Sequence, residues 1–316
     1  MKSISISQDG VLVSGSSGFI GAYLCRELKA RPGGTPMRLE PADVLDRHAL
    51  VRIAAGANIS AAIHLAASGR VIAPSSVCPD MFATAVAGTL NVVQAFAPRV
   101  VVVASTCAVY GNTDARGARP DAVPPRPVGL YGLAKQSAEM IAAQWAREAG
   151  ASAVVLRIGN VIGPGCGGLI PYLVRHAVAH PDGSVHAQLR GGGRIIRDYV
   201  PVSHVARVML EAASHAWPSR ETRIFNVGTC RGTANSEVAA IVQRIAGEQG
   251  YRLNIDYADD PAPGEAWQAV LDASATTEAL GIEPPREDEV IEFISAAVRS
   301  HLDQHSTAAQ AAGLHH

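Results

Sequence analysis

The sequence predicts an α/β fold in which helices cover both faces of a parallel sheet. Short apolar runs, such as residues 11–13 and 100–104, alternate with helical segments through the first half of the chain. This alternation is typical of βαβ units, and strands that are apolar at every position are buried on both faces. A chain of 316 residues, 48% of them hydrophobic, can bury such a core and a smaller second lobe.

The individual elements follow from the same pattern. We predict strands at residues 11–13, 61–65, 100–104 and 151–158, and helices at residues 19–29 and 131–149. After Gly163, loops rich in glycine and proline interrupt the chain, which indicates a change of organisation. We therefore expect a sheet domain at residues 1–165, a mainly substrate-binding lobe at 166–305, a stretch near 195–230 that returns to the sheet, and a frayed tail at 306–316.

Composition excludes several classes of partner. The net charge of −1 and the scattered basic residues give no footprint for nucleic acid. No run reaches the ~18 apolar residues of a membrane span, and the N-terminus lacks the apolar core of a signal peptide. Five widely spaced cysteines without a CxxC pair predict neither a disulfide framework nor a zinc site. We expect a cytoplasmic protein that binds no metal.

A glycine-rich segment follows the first predicted strand and opens the first helix. Three glycines at intervals of three residues allow a tight turn, close approach of a pyrophosphate and close packing of the helix on the sheet. The free N–H groups and positive dipole of the helix N-terminus then favour phosphate. These features predict a Rossmann-type, doubly wound parallel sheet that binds a dinucleotide through Gly15, Ser17, Gly18, Phe19, Ile20 and Gly21.

The choice between NAD and NADP depends on the end of the second strand. An acidic side chain there binds the adenosine ribose of NAD, whereas a basic one accommodates the 2′-phosphate of NADP. Glu40 is the candidate acid, but Arg38 lies two residues earlier and would face the same side of a strand. We expect NAD, with NADP as the open alternative.

Tyr131 and Lys135 form the predicted catalytic pair. Residues four apart share one face of a helix, so the phenol and the ammonium point into the same space. A nearby ammonium favours phenolate and can bring tyrosine into a working range for proton transfer. Ser105 and Thr106 end the strand at residues 100–104 and place hydroxyls at the sheet edge where ligands bind.

Together these motifs resemble the extended short-chain dehydrogenase/reductase family, in its nucleotide-sugar epimerase, dehydratase and reductase branch. Five motifs carry the resemblance in order and spacing: Gly15-x-x-Gly18-Phe19-Ile20-Gly21, His64-Leu65-Ala66-Ala67, Ser105-Thr106-x-x-Val109-Tyr110-Gly111, Tyr131-x-x-x-Lys135 and Arg197-Asp198-Tyr199-Val200. The resemblance implies Thr106 as the catalytic hydroxyl, Tyr131 as acid and base, and Lys135 at the nicotinamide ribose.

The resemblance also implies further binding residues. It places Asn160 and Arg197 at the diphosphate of the substrate, although Arg197 could instead pair with its neighbour Asp198. It implies a homodimer formed by helices near residues 84–97 and 135–149. Along the cofactor it implies Asp43 and Val44 near the adenine, followed by Leu65, Ala66, Ala67 and Ile158.

Departures from the family pattern keep several functions open. Ala85 replaces a helix asparagine, Ala262 replaces an arginine that often grips phosphate, and Gly165 stands where relatives often carry Arg or His. Cys107 and Ala108 replace the Asp-Glu pair of sugar 4,6-dehydratases, so that reaction is disfavoured. The leading hypothesis is a C4 epimerase or 4-ketoreductase of a nucleotide sugar. The alternatives are a reductase of a non-sugar carbonyl and a non-catalytic, dinucleotide-sensing regulator.

Overall fold

The computed structural model describes residues 10–31, 36–38, 43–66, 78–259 and 265–311. In the first part of the chain the elements are β1 (Gly10–Ser14), α1 (Phe19–Ala30), β2 (Pro36–Arg38), α2 (Arg47–Ala54), β3 (Ile59–His64), α3 (Cys78–Ala83), α4 (Thr89–Phe96), β4 (Val100–Thr106), α5 (Leu130–Ala149) and β5 (Ser152–Ile158). The remaining elements are β6 (Asn160–Ile162), α6 (Leu169–Ala179), β7 (Ala187–Leu189), β8 (Ile196–Arg197), β9 (Tyr199–Pro201), α7 (Val202–Ser214), β10 (Thr222–Val227), β11 (Thr233–Ala234), α8 (Asn235–Glu248), β12 (Ile255–Tyr257), β13 (Gln268–Ala269), α9 (Ser274–Leu280) and α10 (Glu287–Ala311).

The central sheet confirms the predicted doubly wound α/β architecture. Its strands lie in the order β10-β5-β4-β3-β1-β2 and every neighbouring pair is parallel. The chain runs from β1 outward to β2 and then crosses to β3 on the other side of β1. In open sheets of this kind ligands bind at the carboxyl ends of the strands beside such a reversal. The turn after β1 therefore faces the binding crevice.

Both faces of the sheet are covered, as the continuous apolar strands predicted. All seven residues of β4 are buried, and alternate side chains point to opposite layers. Val102 packs in the layer that contains α1 and α7. Val101 and Val103 pack in the opposite layer, against the alanine-rich face of α5. The sheet is thus the middle of a three-layer sandwich.

A second hydrophobic core lies in the C-terminal half. Helices α6, α8 and α10 meet around Leu173, Val242 and Ile294, which are almost completely buried. Between α7 and α8 the chain returns to the central sheet, where β10 pairs with β5. None of the helices in the described ranges has both the length and the apolar character that crossing a bilayer requires.

Two helical segments differ from the expected pattern. The helix expected near residues 84–97 starts earlier, as α3, and a π-helical turn at Thr84–Gly88 joins α3 to α4. A Cβ atom on Gly88 would lie 2.8 Å from the Val44 side chain, so glycine permits the close approach there. At the other end, α10 continues to Ala311, beyond the start of the predicted frayed tail. Alanine favours helix, which accounts for this extension.

Candidate active site

One cavity of about 900 Å³ opens at the carboxyl edge of the central sheet. It lies between the sheet and the C-terminal lobe. The cavity brings together residues that the sequence analysis assigned to the cofactor, to catalysis and to the substrate: Gly15, Gly18, Phe19, Ile20, Gly21, Leu65, Ser105, Thr106, Tyr131, Lys135, Ile158, Asn160 and Arg197.

The glycine turn has the shape of a pyrophosphate cradle. Gly15 has a φ of +71°, and a Cβ atom on Gly21 would lie 2.1 Å from the carbonyl oxygen of Gly15. Helix α1 begins without a side-chain cap and without an acidic residue in its first turn. Among the described residues, the buried hydroxyl of Ser16 has no hydrogen-bond partner. A diphosphate would satisfy these N–H and O–H donors, so the residues fit a dinucleotide.

The remaining predicted cofactor residues are placed as follows. Ala66 lies at the end of β3, where its backbone N–H donates to Ser14 Oγ at 3.4 Å. Ser17 is exposed in the glycine turn. Asp43 is exposed and accepts a hydrogen bond from the Leu45 backbone, whereas Val44 is buried against Gly88. Two predicted residues, Glu40 and Ala67, lie outside the described residues.

A buried histidine joins β1, β3 and α4 directly behind the glycine turn. His64 Nδ1 lies 2.7 Å from Ser14 Oγ and Nε2 lies 3.1 Å from Thr89 Oγ1. Thr89 donates its hydroxyl proton to the Ala85 carbonyl. We therefore assign the proton of the neutral ring to Nε2, which donates to Thr89, while Nδ1 accepts from Ser14. Burial, with the charge of Lys135 as a second cause, lowers the pKa of His64 to about 3.

Lys135 lies on the second turn of α5, where its side chain is buried beneath the cavity. Its Nζ atom donates to the backbone carbonyl of Ala104 on β4 at 2.8 Å. Burial lowers the pKa of Lys135 to about 8, and the charge of Glu139 one turn later opposes this shift. The ammonium is thereby held at the strand end that carries the predicted catalytic hydroxyl.

Tyr131 begins the same helical face and reaches the cavity beside Thr106. Burial raises the pKa of Tyr131 to about 12, with a further increase from Cys107, while a hydrogen bond with Thr106 opposes the shift. Lys135 was expected to lower this pKa, but desolvation of the phenol has the larger effect.

Ser105 and Thr106 direct their hydroxyls to different places. Thr106 Oγ1 accepts from the backbone N–H of Ala108 at 3.2 Å and lies beside Tyr131. Ser105 Oγ instead donates to the buried carboxylate of Glu139. Thr106 therefore has the more suitable position for contact with a substrate oxygen.

Glu139 is a buried carboxylate that the sequence analysis did not identify. It accepts from Arg157 on β5 through Oε1 at 3.1 Å and Oε2 at 2.8 Å. The Arg157 guanidinium also lies over the Tyr110 ring, 4.7 Å from its centre. Because Glu139 is four residues after Lys135, the repeat of four from Tyr131 onward was the signal that could have identified it.

On the substrate side, Arg197 pairs with Glu265 rather than with Asp198. Its Nη2 donates to Glu265 Oε1 at 2.8 Å, and both side chains line the cavity. Asp198 is fully buried and accepts from the backbone and hydroxyl of Thr229 at 2.7 and 2.8 Å and from the Leu271 backbone at 3.2 Å. Burial raises the pKa of Asp198 to about 6, against the lowering effect of these hydrogen bonds.

Asn160 lies half-buried at the start of β6 and lines the cavity. Its backbone N–H donates to the Asp198 carbonyl at 2.7 Å. Cys107 and Ala108 also line the cavity, directly after Thr106. Burial raises the pKa of the Cys107 thiol to about 11, so the thiol is a poor source of thiolate there.

Further cavity residues come from the C-terminal lobe. The N-terminus of α6 opens onto the cavity at Gly168 and Leu169, and Gln188 and Arg190 reach it from β7 and the turn that follows. These residues were missed because they follow short irregular segments whose positions depend on long-range packing. No cluster of three or more potential metal ligands occurs in the part of the chain that the structure describes.

A dinucleotide cradle and a tyrosine–lysine helix on one cavity define an NAD-dependent enzyme of the short-chain dehydrogenase type. The sequence profile of the NAD dependent epimerase/dehydratase family matches residues 11–228, more than half of the chain. The protein belongs to this family, as the five sequence motifs predicted, and its cofactor is NAD.

Individual relatives agree with this assignment. The chain is 28% identical to a UDP-glucose 4-epimerase of Azospirillum brasilense, over 96% of this chain and 94% of the relative. Its fold is similar to that of the Thermotoga maritima UDP-glucose 4-epimerase with UDP-glucose, at 25% identity and a TM-score of 0.79, over 94% of this chain and 99% of the other. A Thermus thermophilus UDP-glucose 4-epimerase in complex with NAD is similar at 26% identity and a TM-score of 0.76, over 92% and 98% of the two chains.

Proposed function

We propose that the protein is an NAD-dependent epimerase that inverts C4 of a nucleoside-diphosphate sugar. The observation that carries the proposal is the position of Thr106, Tyr131 and Lys135, which line the same cavity as the glycine cradle. Relatives that match along most of their length are UDP-glucose 4-epimerases, which supports a UDP-hexose as the first substrate to test.

The chain's own groups supply proton transfer and orientation. Tyr131 takes the proton of the C4 hydroxyl. It returns the proton after the 4-keto sugar has rotated to present its opposite face. Thr106 holds the same oxygen, and Lys135 keeps the phenol beside a positive charge. Bound NAD would supply the hydride acceptor and donor for C4. We propose that Gly15, Gly18 and Gly21 hold its pyrophosphate.

Two neighbouring residues favour epimerisation over dehydration. A 4,6-dehydratase needs a base for the C5 proton and an acid for the departing hydroxyl. Ala108 has no ionisable group, and the pKa of Cys107 is raised by burial. A 4-ketoreductase needs no such pair and is the second candidate, because the same Thr106, Tyr131 and Lys135 would serve it.

The proposal extends to assembly and compartment. Leu133 and Met140 on α5 are 44% and 67% exposed, respectively, which supports a homodimer formed through α4 and α5. We also propose a cytoplasmic location. It is supported by the absence of disulfides among Cys25, Cys107, Cys166 and Cys230 in the described part of the chain.

The proposal is tested by incubating the purified protein with UDP-glucose, UDP-galactose and UDP-arabinose, each with and without added NADH. We expect each accepted sugar to give a mixture of C4 epimers by NMR without net consumption of NADH. If these sugars give no epimer, and NADH is consumed in proportion to product when a UDP-4-keto-hexose is supplied, the protein is a ketoreductase instead. Loss of water from the sugar, detected by mass spectrometry, would contradict both assignments.

A further inference from the structure

A short turn on the substrate side of the cavity carries an exposed arginine. Arg190 follows β7, is exposed, and is one of the residues that line the cavity. The next three residues, Gly191–Gly193, form a 3-10 turn in which the φ angles are +62°, +58° and +71°. Three consecutive positive φ angles are readily adopted only by glycine. The three glycines thus allow the backbone to make the turn that follows Arg190.

Packing on both sides holds this turn in place. The Gly193 N–H donates to the Arg190 carbonyl at 3.2 Å, and the Gly192 N–H donates to the Ala258 carbonyl at 2.8 Å. A Cβ atom on Gly191 would lie 2.6 Å from the Ile195 side chain, and one on Gly193 would lie 2.6 Å from the Tyr257 ring. The backbone of Arg190 is therefore fixed before any ligand binds, which lowers the entropic cost of an interaction made by its side chain.

Arg190 differs from the other cations that line the cavity. Lys135 is buried at the catalytic end and donates to the Ala104 carbonyl. Arg197 donates to Glu265, so its charge is largely neutralised. Within the described residues, Arg190 has neither an ion pair nor a side-chain hydrogen bond. It is the cation whose forked donors remain available to an anion in the cavity.

We propose that Arg190 binds the diphosphate of the substrate. It supplies the positive charge there in place of Arg197, whose own charge is neutralised by Glu265. This inference rests on the proposed function, since a nucleoside-diphosphate sugar is strongly anionic. A guanidinium presents two parallel N–H donors that match phosphate oxygens. Its ligand is the substrate diphosphate rather than that of NAD, because the NAD cradle is formed by the glycine turn after β1.

The test compares Arg190→Gln with Arg194→Gln by calorimetric titration of UDP and of NAD at low and at physiological ionic strength. Arg194 is the matched control, because it is exposed on the same turn and its side chain lies over Gly192. Both changes are at exposed positions and should leave folding intact. We expect Arg190→Gln to weaken UDP binding about tenfold or more, most at low salt. NAD binding and the Arg194→Gln variant should match the parent.

The outcomes separate this inference from the proposed function. If the parent binds UDP and Arg190→Gln binds it equally well, the assignment of Arg190 is overturned and the proposed function stands. Equal weakening by Arg194→Gln would also overturn it, since a general field effect would then explain the result. If the parent binds no UDP, and GDP titrated in the same way is not bound either, the proposed function is overturned, and the role of Arg190 with it.

Discussion

The two walls of the cavity are built in different ways. On the cofactor wall, backbone geometry and buried hydrogen bonds fix the site: Gly21 packs on the Gly15 carbonyl, and His64 joins Ser14 to Thr89. On the substrate wall, charged side chains such as Arg197 and Glu265 face each other within the cavity. A change on the first wall disturbs the fold, whereas a change on the second can alter binding alone.

This difference separates the reaction that the enzyme catalyses from its choice of substrate. Under the proposed function, the cofactor wall supplies the reaction, because any sugar carbon placed there would meet Tyr131 and Lys135. The substrate wall decides which molecule reaches that position. Of the departures from the family pattern, Gly165 belongs to the substrate side, whereas Ala262 lies outside the described residues. Binding specificity should therefore respond to single substitutions there without loss of stability.

The largest effect is expected where the two walls meet. Tyr131→Phe removes the proton carrier but keeps the ring, so turnover should fall by roughly a thousandfold. NAD affinity should remain close to that of the parent, because the hydroxyl contributes little to holding the dinucleotide. Epimer formation and NAD titration on the same purified variant measure both quantities. Turnover within tenfold of the parent would remove Tyr131 from the reaction.

A smaller effect is expected in the pH dependence of the free energy of unfolding, to which the buried His64 of the cofactor wall contributes. The unfolded chain protonates His64 below pH 6.5, whereas the folded protein keeps it neutral to about pH 3. Protons therefore favour unfolding, so the contribution of His64 is complete above pH 6.5 and is lost as the pH falls toward 3. The slope for one group is about 1.4 kcal/mol per pH unit.

Two other buried groups make contributions to this pH dependence that have opposite signs and nearly cancel in the same pH range. The pKa of His204 is lowered to about 4 by burial, and the pKa of Asp198 is raised to about 6. The contribution of His204 to the free energy of unfolding falls as the solution becomes acidic. The contribution of Asp198 rises as the pH falls from 6 toward 3.8. His64→Gln should thus flatten the parent's pH dependence, by about 2 kcal/mol between pH 6.5 and 5. Urea unfolding at several pH values measures this. Ser14→Ala, which keeps the histidine, should retain the parent's slope.

The sequence predicted the cofactor wall more completely than the substrate wall. The strand expected at 100–104 is β4 (Val100–Thr106), and the helix expected at 131–149 is α5 (Leu130–Ala149). These elements were predictable because continuous apolar runs and helical periodicity are local signals. The glycine spacing likewise determines a local turn, which the structure places at the cavity.

The parts that were not predicted depend on contacts between distant residues. Arg197 had its sequence neighbour Asp198 as an open partner, but it pairs with Glu265, 68 positions away. Asp198 instead accepts hydrogen bonds from two distant backbone segments, at Thr229 and Leu271, that only the folded lobe brings together. Arg190 gave no local signal, because its role follows from which other cations are already paired. Charge balance within a cavity is a property of the tertiary structure.

The smallest effect concerns the ion pair on the substrate wall. Glu265→Gln removes a negative charge from the cavity and leaves Arg197 positively charged. If Glu265 mainly neutralises Arg197, the variant should bind UDP a few-fold more tightly at low salt, and the gain should shrink as salt screens the charges. The free energy of unfolding should also fall, by about 1 to 3 kcal/mol, because the two side chains are only 11% and 16% exposed and Arg197 loses its charged partner.

The direction of this change is the informative result. A carboxylate can also hold an arginine in a productive orientation, and its loss would then weaken UDP binding despite the more positive cavity. Titration of UDP into the parent, Glu265→Gln and the double variant Glu265→Gln/Arg190→Gln distinguishes the two roles. If Glu265 neutralises an Arg197 charge that would otherwise attract UDP, the double variant should recover part of the UDP affinity that Arg190→Gln loses. If both arginines act on the same diphosphate, the two changes should be non-additive, whereas independent effects would make the double variant equal to the sum of the single variants.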